Sequence, residues 1–206
     1  MNFITAYCHI SKESVSMNGE TILRKDETTT DDFIKKIYKN SKLDYPKFYK
    51  MDMLSKFAFL GTEILKNHCA KIIEYTDDAI ALLFSNSVSS ADTDIKFQKS
   101  YQVERSPSPA LFVYTLPNIL IGEIAIRNKW FGENLFTILP NFDSAYFTMQ
   151  CNIILEKKAE AVLCGWINVL DENIETFIFF AEKKHPQKMN LPLNSETLSI
   201  LYKNKI

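Results

Sequence analysis

The chain has 206 residues, with 24 basic and 25 acidic side chains, a net charge of −1 and only five glycines. Average usage near ~7% would give about 14. The closest two, Gly122 and Gly132, are ten positions apart, so the clustered-glycine loops that cradle dinucleotides or nucleoside triphosphates are excluded. Near-neutral charge offers no electrostatic footprint for nucleic acid or an anionic membrane.

A composition of 46% hydrophobic and 24% charged residues is that of a globular chain, and at roughly 150 residues per domain one unit over residues 1–206 is expected. The start, MNFITAY, has neither a basic segment nor a long apolar one, so no leader is expected. The longest apolar tract, residues 110–126, contains Pro117, Asn118 and Glu123 and falls short of the ~20 residues of a membrane span. These features predict a cytoplasmic protein.

Taken in chain order, residues 3–10 alternate as a strand does, and 11–28, with Asn18-Gly19 at their centre, form a loop or small hairpin. Thr30, Asp31 and Asp32 open a helix that runs to about Asn40 with Phe33, Ile34 and Ile37 on one face. Residues 43–50, with Pro46, are expected to be extended. Residues 53–73 recur at helical spacing, whereas the unbroken apolar run 79–84 suits a parallel strand buried on both faces. After the polar loop 85–90, helices are expected over 92–101 and 116–129, the latter with Ile121, Ile124 and Ala125 inward. A short strand over 135–139, a helix over 143–158, neighbouring strands over 161–167 and 176–181, and a last helix from Asn194 to about Lys203 complete the order. Apolar strands alternating with long helices indicate an α/β fold around a mixed sheet.

The chemistry-bearing residues are sparse. Cys8, Cys69, Cys151 and Cys164 form no close pair in sequence and are expected as buried, reduced thiols. The doublets Cys8-His9 and His68-Cys69 offer at most one metal ligand each, because neighbours on a strand point to opposite faces; no metal or cofactor is expected. His185, in the run KKHP, is expected in a solvated loop. Asp31-Asp32 and Asp77-Asp78 suit caps and turns. Glu123, inside an apolar helix, needs a partner, and Arg127 at i+4 is the nearest in sequence. No nucleophile, base and orienting group are spaced as a catalytic set.

Four segments resemble the N-terminal half of β-ketoacyl-acyl-carrier-protein synthases, in family order over about residues 47–170. TLPNILIGEIAI at 115–126 is similar to that family's buried helix opening on Pro-Asn, and WFGENLFTIL at 130–139 to the G-P-N run before its nucleophilic cysteine. FYKMDMLSK at 48–56 resembles its R-R-M-S-type helix entry, and AEAVLCGW at 159–166 its A-D-x-x-L-x-G-G strand. The resemblance implies half of a thiolase-like α/β fold, with a mixed sheet of roughly five strands packed with helices. The family places its cysteine nine positions beyond the glycine. Counted from Gly132 this is Asn141, and a carboxamide cannot be acylated as a thiolate can.

The C-terminal half, which carries the family's two catalytic histidines, is not expected within 206 residues. The resemblance therefore implies a chain-length-factor-like subunit without catalytic residues, serving type II fatty acid, polyketide or aryl-polyene biosynthesis. Its partners would be a full-length synthase or a second copy of itself, and acyl carrier protein. Asn118, Leu120, Ile121 and Ile124 would then line the interface or acyl tunnel, with Asn141 marking the vacated site. A lone half also exposes an apolar face that monomers rarely tolerate. The alternatives are a stand-alone acyl-thioester hydrolase using Ser144 or Cys151, and a module that binds an acyl chain or carrier protein.

Overall fold

A computed structural model describes residues 1–26, 29–183 and 190–204; His185 lies outside the described residues. Among the described residues, eight strands form one sheet in the order β3-β2-β1-β7-β6-β4-β5, with β8 also pairing β1. They are β1 Asn2–Ser11, β2 Ser14–Met17, β3 Glu20–Arg24, β4 Ile80–Asn86, β5 Asn134–Ile138, β6 Ala161–Leu170, β7 Asn173–Lys183 and β8 Leu191–Pro192. The five strands β1, β7, β6, β4 and β5 make up the mixed sheet expected from the sequence, and the β2–β3 hairpin and β8 extend it. β4 runs parallel to β5 and β6, while β7 is antiparallel to both β6 and β1. The hairpin turns at Asn18-Gly19, both with positive φ, the conformation that favours these two residue types.

Among the described residues, seven helices cover the faces: α1 Thr30–Asn40, α2 Met53–His68, α3 Ala91–Gln102, α4 Pro109–Val113, α5 Ile119–Asn128, α6 Ser144–Glu156 and α7 Ser195–Lys203. Strand alternation feeds two cores. Ile80, Leu82, Phe84, Leu163, Ile178 and Phe180 point to the side of α1, α2 and α5. Ala81, Leu83, Val162, Cys164, Trp166, Phe177 and Phe179 point to the side of α6 and α7. A bulge between Ile4 and Ala6 of β1 breaks the alternation, so that Ile4 and Tyr7 share the second core although three positions apart. β4 is buried at every residue, as an interior parallel strand must be.

Several elements differ from their sequence-based expectations. α2 stops at His68, whose Nδ1 donates to the Ile64 carbonyl, and residues 70–74 continue as a 3-10 turn that returns Ile72 to the core. Residues 46–50 form a 3-10 turn in place of extended chain, burying Phe48 against Tyr38 at 4.6 Å and Phe59 at 5.6 Å. The helix expected over 116–129 begins later, α5 starting only at Ile119, and a separate short helix, α4, capped by Ser108 with Pro109 in its first turn, precedes it. Pro117 disfavours helical backbone at Leu116 and so enforces the break.

Glu123 corrects a second expectation. Its carboxylate meets Lys47 Nζ at 2.7 Å and accepts from the Tyr114 hydroxyl at 2.9 Å, rather than pairing with Arg127. Arg127 reaches across to Glu63 on α2 at 3.9 Å and lies over the Tyr45 ring at 4.9 Å. The helix buries Glu123 towards the 46–50 turn, a tertiary neighbour that helical spacing cannot reveal.

Candidate functional site

The carboxyl ends of parallel strands β4, β5 and β6 are where an open α/β sheet places its chemistry. The loop 139–143 leaves this edge from β5 and enters α6. It carries Leu139, Pro140, Asn141, Phe142 and Asp143, and Leu139 N donates to the Asn86 carbonyl at the end of β4, 2.9 Å away. Asn141 is exposed on the loop. The next side chain turns inward: Phe142 stacks on Tyr202 of α7 at 4.1 Å and on Phe147 of α6 at 5.3 Å. It meets Phe177 and Trp166 edge-on at 5.6 and 6.1 Å. An aromatic cage thus fills the space beneath the loop.

The N-terminus of α6 is the natural place for an anion, because its first N–H groups have no partner within the helix. Here two of them are taken. Asp143 Oδ1 accepts from Ala145 N at 2.9 Å and Tyr146 N at 3.0 Å. A thiolate or tetrahedral oxyanion at this point would face a carboxylate already holding the donors that an oxyanion requires.

A polar network secures the rest of the edge. Glu175 accepts from Trp166 Nε1 at 3.0 Å, Asn168 Nδ2 at 3.4 Å and the Tyr202 hydroxyl at 2.6 Å. Burial, reinforced by this bond to Glu175, pushes the Tyr202 hydroxyl above the ordinary tyrosine range, so it stays a donor. Asn168 Oδ1 in turn accepts from the Ser87 backbone N–H at 2.9 Å and its hydroxyl at 3.1 Å. Ser87, Val88, Asn168, Leu170, Asn173, Ile174 and Glu175 surround a cavity of about 380 Å³ at the same edge. A larger cleft of about 530 Å³, between the β2–β3 hairpin and the ends of α1 and α2, shares none of these lining residues.

The other sequence-predicted positions fall on α5. Leu120, Ile121 and Ile124 are buried in the first core, where α5 packs on α2. Asn118 is exposed at the N-terminus of the helix. In the chain just before it, the apolar Phe112 and Leu116 are 61% and 58% exposed. Among the alternative nucleophiles, Cys151 is fully buried against Cys164, and Ser144 begins α6. The two described histidines are engaged elsewhere, His9 with the Leu201 carbonyl and His68 with that of Ile64. Among the described residues no group of three or more His, Cys, Asp or Glu is placed to hold a metal, and no helix is long and apolar enough to cross a membrane.

Phe142, Tyr202, Trp166 and Glu175 were not foreseen from the sequence. The pairing of β6 with β7 was legible, but the register that sets Asn168 opposite Glu175 was not. An aromatic directly before a capping aspartate was the one available signal for the loop.

No protein-family model matches the sequence, and neither does any curated protein. Solved structures do match in shape. The ishigamide ketosynthase/chain length factor superposes with a TM-score of 0.64 at 12% identity, covering 91% of this chain and 63% of that one. AntDE:AntF, a type II PKS acyl-carrier protein in complex with its ketosynthase bound to the hexaketide, gives 0.63 at 10% identity, covering 89% and 62%. The ketosynthase ApeO in complex with its chain length factor ApeC, from Xenorhabdus doucetiae, gives 0.59 at 12% identity, covering 98% and 90%. The chain spans less than two thirds of the length of the first two. It has the mixed α/β architecture of thiolase-like ketosynthase and chain length factor proteins.

Proposed function

We propose that residues 1–206 form a synthase-N-terminal-like domain acting as a non-catalytic, chain-length-factor-type subunit. It pairs with an active ketosynthase, and through it with acyl carrier protein, in type II polyketide, aryl-polyene or fatty acid assembly. The observation that carries this reading is the β5–α6 loop. Asn141 stands at the position implied for the nucleophile, Phe142 fills the space below it, and Asp143 occupies the α6 donors that would serve an oxyanion.

Partner binding is supported by the open edge of the sheet. Among the described residues β5 pairs with β4 alone and presents Leu135 and Ile138, the latter 55% exposed, without proline or bulge to blunt it. Such an edge invites another strand. Phe112, Val113 and Leu116 add apolar surface near Asn118. In this reading the first turns of α5, with Asn118 outward and Leu120, Ile121 and Ile124 beneath, border the interface or acyl tunnel.

The hydrolase alternative loses one of its candidates, since Cys151 has no exposed surface. Both readings are separated by incubating the protein with acyl carrier protein loaded with an acyl thioester and recording intact mass. The subunit reading expects no acyl adduct on the chain and no release of free acid above the buffer rate. An adduct on Ser144, or hydrolysis abolished by Ser144→Ala, would overturn it.

A further inference from the structure

Two thiols that the proposed role does not use lie together inside the second core. Cys151 sits two turns into α6 and Cys164 in the middle of β6; both are fully buried and their sulfurs are 3.2 Å apart. A movement of about 1.2 Å would bring them to the ~2.05 Å of a disulfide bond. Their surroundings, including Phe147 and Phe179, are apolar. Cys8 and Cys69 belong to the other core, so the sheet itself separates them from this pair.

We infer that Cys151 and Cys164 are a reversible dithiol that peroxide converts to a disulfide fastening α6 to β6. Peroxide transfers one oxygen to the first sulfur, giving a sulfenic acid and water. The second thiol attacks that sulfur, the S–O bond breaks, and the departing hydroxide takes the thiol proton as a second water. Two thiols and one hydrogen peroxide thus give one disulfide and two waters, with two electrons passing from sulfur to oxygen.

The environment sets the rate. Burial, with the adjacent Cys151 sulfur, holds the Cys164 thiol well above its ordinary range, so the resting pair is protonated. Oxidation waits on local opening of α6 and proceeds slowly. Once formed, the bond closes a segment of 13 positions and pins the helix whose first turn carries the 139–143 loop.

The test exposes the intact protein to hydrogen peroxide, alkylates the remaining thiols under denaturing conditions and maps the peptides by mass. The expected product is one cross-linked peptide pair, Cys151 with Cys164, lighter by two hydrogens and reversed by dithiothreitol. A rise in melting temperature of roughly 5 °C accompanies it, absent from Cys164→Ala treated in the same way. Should Cys164→Ala fail to fold, Cys151→Ala supplies the same comparison. Both thiols still alkylated after overnight exposure, or oxidised only to sulfinic and sulfonic acids, would overturn the inference. Cross-links to Cys8 or Cys69 in place of the Cys151–Cys164 pair would overturn it equally.

Discussion

At Asp143 a single carboxylate does two things. It satisfies two backbone donors of α6 and, by doing so, places negative charge where a condensing nucleophile would need positive potential. Asp143→Ala is expected to cost about 1 kcal/mol in urea unfolding, and Asp143→Asn much less, because asparagine caps equally well. Neither change should create acyl-transfer activity, since no thiol lies in the loop. Phe142→Ala, which empties the centre of the cage, is expected to cost about 2 kcal/mol. A cost near zero would show that the cage does not hold the loop. The capping role of Asp143 was only half visible in the sequence. The pattern starts the helix at Asp143 itself, one residue too early and without a cap, and the inward turn of Phe142 depends on Tyr202, some 60 positions away.

At the scale of elements, β4 and β6 meet through a close approach. Phe84 and Gly165 are paired across the two strands, and the phenyl ring lies where any Cβ at position 165 would be. Gly165→Val is therefore expected to destabilise by about 1–3 kcal/mol through overpacking, read as a lower urea midpoint at unchanged slope. Gly122, which has open space around its Cα, tolerates alanine; equal losses at the two sites would refute this account of β4–β6 packing. Periodicity made the strands and long helices legible, because burial on two faces leaves continuous apolar runs and burial on one leaves a stripe. It could not supply the break before α5, the 3-10 turns or the partner of Glu123. The break before α5 follows from Pro117, a local rule that periodicity does not carry, and the other two are decided by tertiary contact: Phe48 needs a pocket between Tyr38 and Phe59, and Lys47 is carried to Glu123 by that same turn.

For the whole molecule, three tyrosines, Tyr114 buried and Tyr75 and Tyr202 partly buried, link stability to alkaline pH. Tyr75, Tyr114 and Tyr202 are all raised above the ordinary value near 10, first by burial and then by hydrogen bonds to Glu182, Glu123 and Glu175. The folded chain therefore keeps protons that the unfolded chain releases. Their contribution is present in full below pH ~10 and is lost as pH rises beyond it. Tyrosinate absorbance from these three is expected to appear together with unfolding, and Tyr202→Phe should lower stability near neutral pH and flatten its fall above pH ~10. Ionisation of all nine tyrosines before any loss of structure would contradict the assignment.

The apolar edge and helix faces bear on the central claim, that this chain works as one side of a ketosynthase pair. The most direct measurement is light scattering on size-exclusion fractions, run on the chain alone and after co-expression with a full-length ketosynthase from the same source. The account predicts a mass above that of a monomer for the chain alone, or a stable complex with the synthase, and Ile138→Lys on β5 should weaken whichever forms. A well-behaved monomer that retains no synthase would contradict it.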